Sequence, residues 1–389
     1  MLSCMGTYHV TPVTAGDYRR LAEKRLPRFL FDYVDGGAGE EESMRANVED
    51  FSRIKLRQKV MRDVSNVDTG TVLFGRQLDM PMILAPVGLA GMMRRRGEVQ
   101  GARGAAASGI PFTTSTVGIC PIEEVNAAVE APAWFQLYML RDRGLVQALL
   151  ARAQASGCTT LVFTVDLAVT GPRHRDTRNG MLGGALRGRI AKAWQILTRP
   201  RWIIDVGMLG KPHDFGNLRE AVGDVEDLEV FKAFIDAQFD PGVTWKDIAW
   251  LRSQWQGDII IKGVMTADDA CAAADAGADG VVVSNHGGRQ LEGVASSISV
   301  LPEVVAGAGD RVKVLLDGGV RNGTDVVRAL ALGAKAVMIG RPWVWAMAAR
   351  GEAGVTDLLN VYQQEIERAM ALMGVTRIEE ITSETIDPP

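Results

Sequence analysis

Histidine is the side chain whose ordinary pKa supplies a neutral base near pH 7, and this sequence has only four: His9, His174, His213 and His286. His286 stands apart because it follows the apolar run Val281-Val-Val-Ser-Asn285 and precedes Gly-Gly-Arg289. A histidine at a strand end, flanked by glycines, lies outside the packed core and can serve as a general base. His174, beside Arg173, is the second candidate base. Two further runs carry anion chemistry. Asp317-Gly-Gly-Val-Arg321 and Gly340-Arg341 join glycines, which expose backbone N–H groups, to guanidiniums that can grip a phosphate. Either run alone reads equally well as a tight turn; their pairing points to a phosphorylated ligand.

Such groups need a scaffold that gathers them. Eight short, β-branched-rich runs alternate with alanine-rich helical stretches: Met80–Ala85, Pro111–Ser115, Ala133–Leu137, Thr159–Val165, Asp258–Lys262, Gly280–Ser284, Val312–Asp317 and Ala336–Gly340. Near-continuous apolar strands imply a parallel sheet buried on both faces, and eight of them predict an α/β fold of the (β/α)₈ TIM-barrel type. An open doubly wound sheet is the alternative. In a barrel the chemistry sits at the carboxyl ends of the strands. Here these ends offer Pro86-Val87-Gly88, Ser115, Gln136 with Tyr138, Thr164 with Asp166, Lys262, Ser284 with His286, Asp317 with Gly319, and Gly340 with Arg341. Ionisable groups on so many strands would be costly to bury without a purpose.

The organisation expected is one domain over residues 1–389: a helical cap at 1–75, a barrel at 76–375, and a basic amphipathic insertion at 175–220 after the fourth strand. Tyr18–Asp35 is the clearest amphipathic piece of the cap. Thr266-Ala-Asp-Asp269 and Thr244-Trp-Lys-Asp247 look like helix starts, and Gly277 and Gly333 like helix stops. The residues between the fourth and fifth strands far exceed a simple βα loop.

A composition of 47% hydrophobic and 23% charged residues is that of an ordinary soluble globular protein, and a net charge of −4 argues against a nucleic-acid footprint. Cys4, Cys120, Cys158 and Cys271 form no C-x-x-C pair, so neither a metal site nor a disulfide framework is expected and a reducing cytoplasm fits. No signal peptide and no apolar stretch of the ~18 residues a spanning helix needs is evident. The insertion is different. Residues 181–212 carry Arg187, Arg189, Lys192, Arg199, Arg201 and Lys211 against Asp205, while Leu186, Ile190, Ala193, Trp194 and Leu197 share one helical face. That pattern predicts peripheral attachment to anionic lipid on the cytoplasmic face of the inner membrane, with Trp194 and Trp202 as anchors. A lid over the site, or an oligomer contact, is the competing reading.

The runs Ser-Asn-His-Gly-Gly-Arg-Gln-Leu (284–291), Asp-Gly-Gly-Val-Arg-Asn-Gly (317–323), Phe-Thr-Val-Asp (163–166), Trp-Phe-Gln-Leu-Tyr (134–138) and Val-Glu-Asp-Phe (48–51) resemble the FMN-dependent α-hydroxy-acid oxidase and dehydrogenase family over nearly the whole chain. Leu-Pro-Arg-Phe-Leu-Phe-Asp-Tyr (26–33), Ala-Pro-Val-Gly-Leu (85–89), Arg-Arg-Gly-Glu-Val-Gln (95–100) and Arg-Asp-Arg-Gly (141–144) most resemble its bacterial respiratory L-lactate dehydrogenases, with mandelate dehydrogenase and glycolate oxidase as relatives. The resemblance implies FMN as cofactor and oxidation of an L-2-hydroxy acid, L-lactate before L-mandelate or others. It also implies a quinone-type electron acceptor, with an oxygen-using oxidase as the alternative, and a homotetramer.

Residue by residue, it makes His286 the base and Asp166 its carboxylate partner. Arg173 and Arg289 become the carboxylate clamp, with Tyr33 and Tyr138 contacting the substrate carboxylate and hydroxyl. Lys262 is placed at the flavin edge, where its charge raises electron affinity. Pro86, Val87, Gly88, Ser115, Gln136, Thr164 and Ser284 line the ring, and Asp317, Gly319, Arg321, Gly340 and Arg341 belong to the phosphate end. His286 could take either the α-proton or the hydroxyl proton. Glu292 departs from the aspartate usual after Arg-Gln-Leu, which bears on local loop packing. Gly88 stands where the family's oxidases tend to have alanine, and Val117 where plant glycolate oxidases carry tryptophan. A nicotinamide enzyme would need a strand, a G-x-G-x-x-G run and a helix, and Gly307-Ala-Gly309 lacks the third glycine. A barrel isomerase or phosphate-ligand binder would share only the scaffold.

Overall fold

Strands made of Val, Ile and Leu without polar interruption have no face to give to water, so they must be covered on one side by helices and on the other by one another. The computed structural model describes residues 11–181, 186–219 and 237–387 and shows that arrangement. Eight parallel strands, β3 (Met82–Leu84), β4 (Thr113–Ser115), β5 (Trp134–Tyr138), β6 (Thr160–Thr164), β7 (Asp258–Val264), β8 (Gly280–Val283), β9 (Lys313–Asp317) and β10 (Ala336–Ile339), pair in the order β3-β10-β9-β8-β7-β6-β5-β4. A parallel bridge between Leu84 and Phe112 closes the ring. The fold is the (β/α)₈ barrel, and each strand falls within a residue or two of its expected position.

Ile83, Ala85, Trp134, Val162, Ile260, Val282, Leu315, Ala336 and Met338 form the barrel interior. A short antiparallel hairpin, β1 (Thr71–Leu73) and β2 (Arg76–Leu78), plugs its lower end. Its two-residue turn, Phe74-Gly75, has positive φ at both positions, 48° and 72°, the geometry that matches strand twist in a tight hairpin. Phe74 meets Trp134 edge-on at 5.9 Å.

The upper end is covered by α1 (Ala15–Arg25), α2 (Arg28–Asp35) and α3 (Glu42–Glu49). The single amphipathic piece expected at Tyr18–Asp35 is two helices. Pro27 has no N–H to continue the ladder, and Leu26 is extended with φ −81° and ψ 147°. α1 starts at a capping box between Thr14 and Asp17. Thr266 caps the helix Ala267–Asp275 as expected, whereas at Thr244 the helix begins later, at Lys246. Gly277 and Gly333 end helices with φ of 85° and 104°.

The insertion contains the helix Leu186–Leu197 followed by turns through Met208. Residues 182–185, and the side chains of Leu186, Arg187 and Arg189, lie outside the described residues, as does His9. One expectation fails here. Trp202 is 6% exposed and its indole N–H donates to the Met92 carbonyl at 2.8 Å, so it packs inward and offers nothing to a membrane. Lys192 likewise lies over the Phe29 ring and Arg199 donates to the Leu26 carbonyl, binding the insertion to the cap.

Candidate active site

A cavity of about 490 Å³ opens at the carboxyl ends of the strands. The chain places Tyr33, Pro86, Val87, Gly88, Tyr138, Arg173, Lys262, His286, Arg289, Asp317, Gly319, Arg321, Gly340 and Arg341 on its walls. Ser115, Gln136, Thr164 and Ser284 sit in the buried layer of strand ends beneath it. His174 is exposed at the start of the short helix Arg173 leads into, away from the cavity, which removes it as an alternative base. His213 is engaged with the Val206 carbonyl at 2.8 Å.

His286 and Asp166 form a pair. The His286 Nδ1 lies 2.8 Å from Asp166 Oδ1, which assigns Nδ1 as the protonated nitrogen and turns Nε2 to the cavity as the free base. Burial lowers the His286 pKa below its ordinary 6.5, and Lys262 and Arg173 push the same way against the pull of Asp166. Burial raises Asp166, but His286 and Lys262 outweigh it and keep the carboxyl below its ordinary range. Gly263 makes this approach possible. It forms a bulge in β7 with φ 114°, and a Cβ there would lie 2.7 Å from the Asp166 Cβ.

Lys262, 4% exposed, would lose its proton to burial alone. Asp317 Oδ2 at 3.0 Å and the Asp166 charge hold it above its ordinary pKa, and it donates to Ser284 Oγ at 3.0 Å. Lys262 therefore stays protonated near neutrality. Around it several buried polar atoms have no partner among the described residues: Gln136 Nε2, Thr164 Oγ1 and Asp317 Oδ1. Ser115 Oγ and the Thr116 N–H already engage Gln136 Oε1 at 3.1 and 3.3 Å, so the Gln136 amide is oriented with its donor free. Buried polar atoms are costly unless bonded, and this layer fits the polar edge of an isoalloxazine.

The opposite end of the cavity suits a phosphate. Arg321 is half-buried with its guanidinium over the Trp345 ring at 5.4 Å, and desolvation pushes its pKa down. Gly318 and Gly319 are left-handed at φ 89° and 90°, and a Cβ on Gly319 would stand 1.8 Å from the Asn47 carbonyl oxygen. Arg341 is spread over the carbonyls of Asp35, Gly36 and Gly287 at 3.2, 2.8 and 2.9 Å, at the first residue of the helix Arg341–Arg350. Cations at a helix start, beside glycine backbone, are what FMN's phosphate requires.

Between these ends Arg173 and Arg289 face one another's charge. Burial first, and Arg173 second, draw the Arg289 pKa down to about 10. Arg289 donates to the Gly36 carbonyl at 2.7 Å and lies over the Tyr33 ring at 5.3 Å. Two guanidiniums so placed favour an anion such as a carboxylate. Apolar walls from Val117, Leu167, Met181, Phe215 and Phe239 complete the space.

Sequence reasoning missed several supports. Gln290 donates to the Asp166 and Val169 carbonyls at 2.9 and 3.1 Å and accepts from Arg173 at 3.4 Å, joining base partner and clamp. Asp176, 3% exposed, lines the cavity beside Arg289. Glu292, the departure noted above, accepts the N–H groups of Glu41 at 3.2 Å, Glu42 at 2.7 Å and Ser43 at 3.4 Å, so its carboxylate caps α3.

The FMN-dependent dehydrogenase family model matches residues 22–388. An L-lactate dehydrogenase of Caulobacter sp. (strain K31) is 54% identical over 94% of this chain and 96% of its own. One of Alcaligenes faecalis is 52% identical over 95% and 97%. Among solved structures, one described as the monotopic membrane protein (S)-mandelate dehydrogenase superposes with a TM-score of 0.91 at 35% identity, over 97% of this chain and 100% of that one.

Proposed function

The chain belongs to the FMN-dependent dehydrogenase family, and we propose that it oxidises an L-2-hydroxy acid, with L-lactate going to pyruvate as the leading reaction. The observation that carries this is the His286–Asp166 pair aimed into the same cavity as the Arg173 and Arg289 guanidiniums. The two arginines hold the substrate carboxylate. Tyr33 adds a contact to the carboxylate, and Tyr138 bonds the hydroxyl; its own hydroxyl stays protonated because burial raises its pKa. With the acid so fixed, His286 Nε2 receives the substrate proton and Asp166 stabilises the imidazolium that forms. Arg321 and Arg341, with the backbone at Gly319 and Gly340, would hold the phosphate of FMN, and Ser115, Gln136, Thr164 and Lys262 its ring. Bound there, FMN supplies the acceptor for the electron pair that leaves with the substrate's hydrogens. The test is an anaerobic titration of the flavin-loaded protein with L-lactate, L-mandelate and glycolate. Bleaching of the flavin band, fastest with L-lactate, is expected; no bleaching by any of them ends this reading.

The second part of the proposal is that the electrons leave to a quinone-type acceptor at a membrane surface. Ile190, Trp194 and Leu197 of the insertion helix are 61%, 68% and 66% exposed, and Ile204, Met208 and Leu209 extend this apolar face. No helix among the described residues is long and apolar enough to cross a membrane, so attachment would be peripheral. Gly88 supports a dehydrogenase, since a Cβ there would stand 2.6 Å from Val117 Cγ2. The reduced enzyme should be reoxidised faster by a quinone analogue than by dioxygen, and Gly88→Ala, which must displace Val117, should raise the dioxygen rate. Faster reoxidation of the native enzyme by dioxygen would make it an oxidase.

A further inference from the structure

The catalytic histidine sits on strained backbone. His286 has φ 59°, and Gly287 and Gly288 continue left-handed at 65° and 72°. For a residue with a Cβ that conformation is unfavourable, so the surroundings must impose it. The Asn285 side chain does so from within the turn, its Oδ1 accepting the Gly288 N–H at 3.0 Å. A single asparagine could swing on χ2, but this one is held by another.

Asn47, on α3 in the cap, donates from Nδ2 to Asn285 Oδ1 at 2.7 Å and accepts from Asn285 Nδ2 on its own Oδ1 at 3.0 Å. The two amides face each other as a reciprocal pair. Their orientation is fixed by backbone: Asn47 Oδ1 also accepts the Ser297 N–H at 3.0 Å, and Asn285 Nδ2 also donates to the Ala295 carbonyl at 3.1 Å. Turning either amide over would set oxygen against oxygen and N–H against N–H. Both residues are buried, at 1% and 7% exposure, so water does not substitute for a lost partner. Asn47 also abuts the phosphate end, since its carbonyl oxygen occupies the place a Gly319 side chain would need.

We propose that Asn47 is a positioning residue for the base: through its amide pair with Asn285 it holds the left-handed turn that aims His286 Nε2 at the substrate. It touches neither substrate nor the reacting atoms. This rests on the reading above that His286 is the base. Without Asn47 the Asn285 amide loses one donor and one acceptor and the brace on the turn goes slack. The Asp166 bond still holds one ring nitrogen, but the ring can tilt about it. Displacements on the order of 1 Å cost about 10²-fold in rate.

The experiment is stopped-flow reduction of the flavin-loaded protein by L-lactate, comparing the native chain with Asn47→Ala, Asn47→Asp, Asn285→Ala, Asn47→Ala/Asn285→Ala and His286→Ala. The limiting rate constant is a property of each bound flavin, so partial loss of folded protein does not alter it. Asn47→Ala should fall about 10- to 100-fold. Its affinity for oxalate, a carboxylate ligand that cannot be oxidised, read from the flavin spectrum, should stay within about twofold. Asn47→Asp keeps both accepted bonds but sets a carboxylate oxygen against Asn285 Oδ1 where the N–H stood, so it should be at least as slow as Asn47→Ala; it carries the comparison if the alanine variant does not fold. The double variant should be no slower than Asn285→Ala alone, because both act on one turn. Native rates in Asn47→Ala or Asn47→Asp, or losses that multiply in the double variant, overturn the positioning role. A native rate in His286→Ala removes the base itself and this inference with it; a slow His286→Ala beside a fast Asn47→Ala removes only the inference.

Discussion

As the proposed base, His286 can act only while its ring is neutral. Burial, Lys262 and Arg173 lower its pKa in the free enzyme below the ordinary 6.5, so the neutral working form predominates through neutrality and declines only at lower pH. The profile of kcat/KM against pH should therefore be flat through neutrality and fall along an acid limb centred below pH 6.5; a limb centred above 7 would contradict the assignment. Asp166→Asn removes the one neighbour that raises the histidine pKa, so it should shift that limb further down and slow the reaction. His286→Ala should keep its FMN, because Arg321 and Arg341 stand elsewhere, and lose about 10²–10⁴-fold in flavin reduction. At the same scale, Glu292→Gln removes the carboxylate charge over the start of α3. Thermal unfolding should show a loss of about 1 kcal/mol with the limiting rate preserved.

Between residues and whole molecule, the two elements that carry Tyr33 and Arg173, the groups proposed for the substrate carboxylate, are knotted together. α2 carries Tyr33, and the helix His174–Arg178 follows directly on Arg173. Arg175 joins them: it binds Asp35 at 2.8 Å, approaches Asp32 at 3.7 Å and pairs with Glu41, while Asn179 also bonds Asp32. Arg175 does not line the cavity. Arg175→Ala should cost about 2 kcal/mol in stability by leaving buried carboxylates short of a partner. It should raise KM for L-lactate more than it lowers kcat, with Arg175→Lys between; an unchanged KM would leave the knot a purely structural one. None of this was visible in the sequence, whereas the eight strands were, because a strand buried on both faces writes an unbroken apolar run. The strand-end rim was readable for the same reason, since each run announces the position just beyond it. Asn47 with Asn285, Gln290 with Asp166 and Arg175 with Asp35 are side-chain meetings between distant segments, and no local periodicity records them. The β1–β2 hairpin was missed because its strands are three residues each and Val72 and Gln77 face solvent. Trp202 misled because a helical wheel cannot tell a face turned to the cap from one turned outward.

At the scale of the molecule the insertion is bolted to the cap on one side and bare on the other. Gln195 accepts the Phe29 N–H at 2.9 Å and donates to the Asn179 carbonyl at 3.3 Å. Asp205 binds Arg25 at 2.8 Å and Arg94 at 3.2 Å. The bare side, with Trp194 and Leu197, should bind vesicles containing anionic lipid. Trp194→Ser/Leu197→Ser should weaken flotation with them while leaving flavin reduction by L-lactate in solution at the native rate. Equal flotation of the double variant would move the contact elsewhere. The cap that bears Tyr33 and Asn47 has a further property. The amide pair spans 238 residues, so on a ribosome adding about 5–20 residues per second α3 must wait on the order of tens of seconds for the segment it braces. The cradle that Asn47 shares with Gly319 and Arg341 can therefore assemble only after residue 341 has been made.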